Sequence, residues 1–347
     1  MRTHLLPWYN ANARDLPWIN EPDPYRIWLC EVIMQQTRVE QGIPFYQKFI
    51  SAFPTVHDLA LAKEENVLKL WEGMGYYSRA RNLHFTAKTV VRQYNGNFPD
   101  SYALLLKLKG IGPYIAAAIL SFTWNKPYPV IDSNVNRIIT RYFGIHKPLH
   151  SREAHKEISK ALNTVFIKSQ AARFNQAMMD FGSLVCRPVN PDCAQCPVSQ
   201  YCFANKHHLT DVLPFKQKKK IRRDRFFHFI VLRWNAYTVI EQRTGNDIWK
   251  NLYQFPLVES DKFENWEPLR KKLTEQLGIK TNRWQPDTII QVKPQQLTHQ
   301  TIHAAFCIVP IKNKMQLELE GYQTVSLQQL KKYTFPGIIR SFLNELV

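Results

Sequence analysis

Apolar residues recur at helical spacing through most of positions 23–205 and give way to alternating runs after about position 225. The run Tyr25 to Gln41 carries apolar side chains at 27, 28, 32, 33 and 39, with Pro44 just beyond it. That recurrence predicts a helix closed by the proline. Thr55-Val-His-Asp58 has the spacing of a capping box, with Asp in place of the usual Glu or Gln, and predicts a helix start. Helical periodicity returns over 64–71, 79–94, 101–108, 114–124, 134–143, 151–168 and 172–184. Beyond that, Phe226 to Trp234 and Ala236 to Arg243 read as paired strands with Asn235 in the turn. Helical stretches near 264–277 and 336–346, with strand-like runs between them, complete a second texture. The pattern predicts a mainly α region followed by a separate α+β domain.

Composition adds a partner class. The 347 residues are enough for two or three domains, each with its own core. A formal charge of +18 points to a polyanion, and nucleic acid is the first candidate for a folded, aromatic-rich chain. Solubility alone is the bland explanation of such a charge. Leu213 to Arg225 carries seven basic residues and one acid. It reads as an exposed linker, and lying along DNA phosphates or being merely solvated fit it equally. No apolar run approaches the length of a membrane span. The N-terminus does not resemble a signal peptide, so a reduced, intracellular setting is expected.

Four of the six cysteines fall in one short stretch, as Cys186-x6-Cys193-x2-Cys196-x5-Cys202. Four thiolates on one loop make a soft-ligand cage, suited to an iron–sulfur cluster or a structural zinc. Zinc sites more often use two Cys or Cys/His pairs across a longer spacer, and only one Cys-x2-Cys pair is present, which favours a cluster. Cys30 and Cys307 lie in apolar surroundings and read as ordinary buried thiols.

Leu108-Lys109-Gly110-Ile111-Gly112-Pro113-Tyr114 sits between two apolar helices. Gly110 suits a left-handed helix end and Pro113 the first turn of the next helix. Backbone N–H groups at such a hairpin can hold a phosphate without reading sequence. A Gly-x-Gly alone usually marks a tight helix–helix turn. Eighteen residues after Tyr114 comes Asp132, in Pro129-Val-Ile-Asp132-Ser-Asn134-Val-Asn-Arg137. Read alone, Asp132 is a helix N-cap.

Taken together, the hairpin, the aspartate at that distance and the cysteine spacing resemble the helix–hairpin–helix DNA glycosylase superfamily in its iron–sulfur branch. That branch holds endonuclease III and the adenine DNA glycosylases. Three features resemble the adenine-specific family. Tyr114 stands where endonuclease III-type enzymes place a lysine nucleophile, and a phenol forms no Schiff base. Trp28-Leu-Cys-Glu31-Val-Ile-Met-Gln35-Gln36-Thr37-Arg38 looks like the catalytic helix. The chain also runs on from Cys202 to Val347, like the Nudix-like domain of that family, with Ile248-Trp249-Lys250-Asn251-Leu252-Tyr253-Gln254-Phe255-Pro256 matching its characteristic segment.

The resemblance implies a helical glycosylase domain over 1–212, with a six-helix module near 23–130 and an iron–sulfur module from 1–22 and 131–212. It implies a linker over 213–225 and a Nudix-like lesion-recognition domain over 226–347. The acidic Nudix hydrolase box is missing between Glu259 and Gly278, so no hydrolase chemistry is expected there. Implied catalytic residues are Glu31 as acid, Asp132 as stabiliser of the sugar cation, and Tyr114 and Asn134 as their orienting partners. Implied DNA- and lesion-binding residues are Gln36, Thr37, Met74, Tyr76, Gly110, Gly112, Thr298 and His299. Cys186, Cys193, Cys196 and Cys202 would hold one [4Fe-4S] cluster. The implied partner is duplex DNA carrying adenine opposite 8-oxoguanine or guanine, and the implied enzyme is a monofunctional, monomeric glycosylase of the bacterial cytoplasm. Departures from the family pattern are Lys109 for Pro, Ser133 for Gly, Ile19 for a polar residue, and Leu297 for Phe.

Overall fold

A computed structural model describes residues 1–149, 151–215 and 221–346. Its Cα packing divides the chain into two units, Met1–Ala62 with Asn82–Lys218 and Lys63–Arg81 with Lys219–Val347. The first helix, α1 (Arg2–Asn12), lies outside every stretch the periodicity predicts. It contains Pro7 and buries only Leu5 and Tyr9, too little for a visible apolar stripe.

The helix predicted over 25–41 is two helices. In α2 (Pro24–Met34) the Asp23 carboxylate accepts from the Tyr25 N–H and Pro24 occupies the first turn. The chain then breaks because Gln36 takes a left-handed φ of 57° and Arg38 is extended. It restarts as α3 (Val39–Ala52), with Pro44 inside rather than ending it. Gly42 lets α3 approach α2, since a Cβ there would come 2.4 Å from the Met34 sulfur. The Thr55–Asp58 capping box is complete and opens α4 (Val56–Leu61).

In chain order follow α5 (Glu64–Leu70), α6 (Ser78–Tyr94), α7 (Tyr102–Leu105), α8 (Pro113–Trp124), α9 (Ser133–Phe143), α10 (Arg152–Val165), α11 (Ala171–Leu184) and α12 (Phe203–Lys206). One core joins α1, α9, α10 and α11 through Leu5, Val135, Ile139, Ile158, Phe174, Phe181 and their neighbours. Each such side chain contributes about 1.5–3 kcal/mol when fully buried. Cys186 and Cys196 pack against this core, so the thiol loop rests on the helices that carry Asp132 and Asn134. Gly144 ends α9 with φ of 69°, where a Cβ would strike the Phe203 ring beside Cys202 at 2.4 Å.

The second unit has β1 (Arg223–Arg233), β2 (Tyr237–Gln242), β3 (Tyr253–Gln254), β4 (Leu257–Ser260), α13 (Trp266–Leu277), β5 (Thr288–Gln296), β6 (Gln300–Pro310), β7 (Gln323–Ser326) and α14 (Gly337–Leu346). One sheet runs β4-β1-β6-β5 and the other β3-β2-β7. The expected β1–β2 pairing is limited to a single Trp234–Tyr237 bridge. Each strand instead joins a different sheet, β1 lying parallel to β6 and antiparallel to β4. Asn235, with φ of 49°, turns the corner between the two sheets. The basic stretch 213–225 is also divided. Its lysines at 216 and 218–220 lie outside the described residues, and Arg223 to Arg225 belong to β1.

Residues 63–81 are fastened into this unit by hydrogen bonds. Lys69 Nζ donates to the Tyr333 carbonyl at 3.0 Å, and Arg81 Nη1 to the Lys250 carbonyl at 2.8 Å. Asn251 Nδ2 donates to Glu64 at 2.5 Å, and the Phe335 N–H to Glu72 at 3.2 Å.

Candidate active site

Glu31 sits on α2 among Trp28, Cys30, Val32 and Ile33, and only 5% of it is exposed. Burial is the largest influence on its carboxyl, which is pushed up to about 7, with the nearby Asp132 charge adding to the rise. Tyr114, in the first turn of α8, donates its hydroxyl to Glu31 Oε2 at 2.5 Å and offsets part of that rise. The Tyr114 phenol is itself held well above its usual range, first by burial and then by the Glu31 charge. A carboxyl in this state exchanges a proton near neutral pH, whereas an exposed glutamate would be fully ionised.

Asp132 is the N-cap of α9, as its sequence context alone suggested, and is also part of the same group. Its Oδ1 accepts from the Val135 N–H at 2.7 Å and its Oδ2 from Asn134 Nδ2 at 2.8 Å. Burial raises its carboxyl, and these bonds with the Arg137 charge oppose the rise. Glu31, Tyr114, Asp132 and Asn134 are therefore brought together, from α2 and from the consecutive helices α8 and α9.

Periodicity did not single out the residues that hold this group. Arg137, one turn down α9, donates Nη2 to Asn134 Oδ1 and to the Gly182 carbonyl, both at 2.8 Å, and Nε to the Cys186 carbonyl at 2.7 Å. Gly182 leaves room for Asn134, because a Cβ there would lie 2.4 Å from the Asn134 Cβ. Asn175 Oδ1 accepts from the Val130 N–H at 3.1 Å, and its Nδ2 donates to the Tyr128 carbonyl at 2.9 Å, fixing the approach to Asp132. Fully buried Asp180 pairs with Arg14 at 2.7 Å and accepts from Gln176 at 2.9 Å. The available signal was a cluster of polar residues (Asn175, Gln176, Asp180) in an otherwise apolar helical stretch. A cavity of about 470 Å³ lies beside Gln176, bounded by Tyr9, Trp18, Ile27 and Phe122. Ile27 precedes Glu31 by one turn on α2.

All four loop cysteines line one cavity, beside Arg141. Burial is the main cause of a raised thiol at Cys193, Cys196 and Cys202, with Cys196 reaching about 12, and their mutual charges add to it. Among the described residues, no three His, Cys, Asp or Glu side chains converge as a ready ligand set for one metal ion. The thiols surround a space instead. Arg141 Nη1 donates to the Cys186 sulfur at 3.4 Å and to the Arg187 carbonyl at 2.7 Å. Arg187 itself spends its guanidinium on the Leu184 and Asn190 carbonyls.

At the hairpin Gly110 has φ of 83° and packs over Asn82, and Gly112 caps α8 with open space where a Cβ would stand. Thr37 donates its hydroxyl to the Gln35 carbonyl at 3.3 Å, beside the left-handed Gln36. In the second unit, Tyr76, half-exposed and at φ of 47°, shares a 3.1 Å hydrogen bond with Thr298. Met74 lies between Gly73 and Gly75, both at positive φ, and the His299 carbonyl accepts from the Arg223 N–H at 3.1 Å. In the stretch that lacks the Nudix box, Glu259 pairs with Arg225, Glu264 with Lys272 and Glu267 with Arg270.

The raised Glu31 carboxyl has a stability consequence. Between about pH 4.5 and 7 the unfolded chain releases this proton while the folded chain keeps it, so Glu31 lowers stability as pH rises through that window. Glu31→Gln is expected to match the wild type at about pH 4. At about pH 8 it should exceed the wild type by on the order of 3 kcal/mol at most. Denaturant unfolding at both pH values checks this.

The HhH-GPD superfamily of base excision DNA repair proteins matches residues 29–164, and the NUDIX domain family matches residues 228–345. The adenine DNA glycosylase of Buchnera aphidicola subsp. Schizaphis graminum is 35% identical, over 88% of this chain and 85% of its own length. The Homo sapiens adenine DNA glycosylase is 36% identical over 59% of this chain and 39% of its own. The structure of a thermostable thymine-DNA glycosylase overlays with a TM-score of 0.55 at 28% identity, covering 59% of this chain and 94% of that one. With an HhH-GPD helical domain, a C-terminal Nudix-like domain and a full-length relative at this identity, the chain belongs to the adenine DNA glycosylase family of base excision repair, which hydrolyses N-glycosyl bonds.

Proposed function

We propose that this glycosylase removes adenine mispaired with 8-oxoguanine or guanine, without cutting the strand. The observation that carries this reading is a buried Glu31, its carboxyl pushed up to about 7, hydrogen-bonded to Tyr114 and close enough to Asp132 to feel its charge. Excision of adenine needs a proton for the leaving base and negative charge for the cation forming on the sugar. Glu31 gives its proton to adenine N7. Asp132, held by the Val135 N–H and Asn134, faces the developing sugar cation with its charge. Tyr114 orients the Glu31 carboxyl and offers no amine for strand scission. The cavity at Trp18 and Gln176 receives the flipped base, and two carboxyls with separated roles parallel glycoside hydrolysis.

Hairpin residues Gly110 and Gly112 hold a backbone phosphate. Gln36, Thr37, Met74 and Tyr76 fill the gap left by the flipped base, and Thr298 and His299 read the opposite base. Cys186, Cys193, Cys196 and Cys202 hold one [4Fe-4S] cluster. Four thiols ringing a cavity fit a polynuclear centre, and two buried arginines beside them offset thiolate charge. The bound cluster would supply a covalent brace for the loop rather than reaction chemistry.

Single-turnover excision on duplexes differing only in the adenine mispair tests the reading. Adenine release opposite 8-oxoguanine is expected, with nicks only after hot alkali. Nicking of an oxidised-pyrimidine duplex without alkali, and no adenine release, would refute it. Glu31→Gln should lose about 100-fold or more. Wild-type activity should fall as pH rises through about 7, when Glu31 gives up its proton. In Tyr114→Phe that limb should move to higher pH, because a bond favouring the ionised carboxyl is gone.

Gly182→Ala pushes Asn134 away from Asp132 and is expected to slow excision about tenfold, with mispair binding unchanged. Equal rates would remove Asn134 from the proposed mechanism. Purified protein should contain about four irons and absorb near 400 nm, and serine at any one of the four cysteines should lower both.

A further inference from the structure

Three side chains on one face of α6 serve the hairpin. Asn82 lies beneath Gly110, whose Cβ, if present, would be 3.0 Å from the Asn82 Cβ. Thr86 donates its hydroxyl to the Lys109 carbonyl at 2.6 Å. Phe85 places its ring under the Lys109 ammonium, 4.9 Å from ring centre to nitrogen. Positions 85 and 86 each lie about one turn from 82, so both neighbour Asn82 on the helix surface. Thr86 is buried and explained by its hydrogen bond, but Phe85 is 52% exposed and contributes little to any core. The distance lies within the range over which a ring face attracts a cation.

We propose that Phe85 is a positioning residue for DNA binding: its exposed ring holds the Lys109 ammonium at the hairpin so that this charge meets a backbone phosphate. This rests on the reading of the hairpin as a phosphate holder. Backbone N–H groups alone bring partial charges to a phosphate, whereas an ammonium brings a full one and releases a condensed counterion on binding. A free lysine must be ordered when it binds, and a lysine already seated on a ring loses less freedom. The Thr86 bond fixes the backbone from which Lys109 extends, and the open space beside Gly112 leaves a phosphate room to approach the same turn. The resulting contact carries no base information, so it strengthens binding to any duplex equally.

The test is equilibrium binding of the full-length protein to an undamaged duplex over a salt series, with thermal midpoints as a fold control. Lys109→Ala should weaken binding and reduce the slope of log K against log salt by about 0.9, the loss of one phosphate contact. Phe85→Ala should weaken binding about two- to fivefold at low salt, and Phe85→Trp should restore it. In a Lys109→Ala background, Phe85→Ala should have no further effect. A Phe85→Ala protein that binds like the wild type, or one whose defect persists undiminished without Lys109, would overturn the proposal. Gly112→Leu separates this from the hairpin reading, because φ of −92° accepts a side chain and the added bulk fills the phosphate's space. If Gly112→Leu weakens binding while Phe85→Ala does not, only the role of Phe85 fails. If neither Gly112→Leu nor Lys109→Ala changes binding, the hairpin reading fails and this inference with it.

Discussion

Two arginines buried along α9 are the constraint on which the rest of the helical unit depends. Arg137 and Arg141 are 7% and 2% exposed, and burial of a guanidinium is costly unless its donors are met. They are met almost wholly by carbonyls. Arg137 takes those of Cys186, Gly182 and Ser133, and Arg141 those of Leu213, Arg187 and Pro188. Carbonyls that point inward from a loop must come from backbone turned away from its own secondary structure. The irregular path through 185–191 is therefore specified by the arginines as much as by the cysteines. The same arginine that receives the loop also holds Asn134, and Asn134 holds Asp132. Thiol loop and carboxylate thus share one packed helix face.

The second constraint is the cost of Glu31. A carboxyl buried on α2 lowers stability over most of the neutral pH range, and among the described residues its side-chain partner is the Tyr114 hydroxyl rather than a cation. A cation in place of that phenol would instead pull the carboxyl down to where it is ionised at neutral pH. The arrangement retains the proton near neutral pH at the expense of stability, the property that the proposed acid needs. Asp132 is treated differently. Two hydrogen-bond donors and the Arg137 charge oppose its desolvation. Burial thus raises both carboxyls, and Asp132 has more partners that oppose the rise.

Much of this was legible in the sequence, and the reasons divide cleanly. Helices with strong apolar periodicity, such as α8, α9 and α11, fall within a few residues of their expected bounds. The capping box at Thr55 and the aspartate N-cap at 132 are local signals, and both hold. What was not legible depends on contacts distant in sequence. The break after Met34 requires a left-handed Gln36, which no pattern of apolar residues encodes. Pro44 is tolerated inside α3, although proline alone predicts an end. The β1–β2 pair reads as a hairpin locally, but partners more than seventy residues away claim both strands. The proposed pair of reacting carboxyls, Glu31 and Asp132, was singled out only by family resemblance. Its supports, Arg137, Gly182 and Asn175, are visible only once α9 and α11 are packed.

The grouping of Lys63–Arg81 with the C-terminal residues bears on how the opposite base would be read. Tyr76 and Thr298 are more than two hundred positions apart, yet they share a hydrogen bond within one unit. A reading surface assembled this way has its geometry set by the fold of that unit, through the Lys69, Glu64, Glu72 and Arg81 bonds that fasten the 63–81 segment. Tyr76 reaches its place at a left-handed φ, between Gly75 at φ of 71° and Arg79, whose guanidinium lies 5.0 Å from the Trp71 ring and 5.7 Å from the Tyr76 ring. Strain of that kind persists only where surrounding contacts over-determine it. The segment then continues without interruption into α6, whose next turns carry Asn82, Phe85 and Thr86 to the hairpin. One stretch of chain therefore contributes first to the proposed reader of the lesion and then to the proposed holder of the backbone.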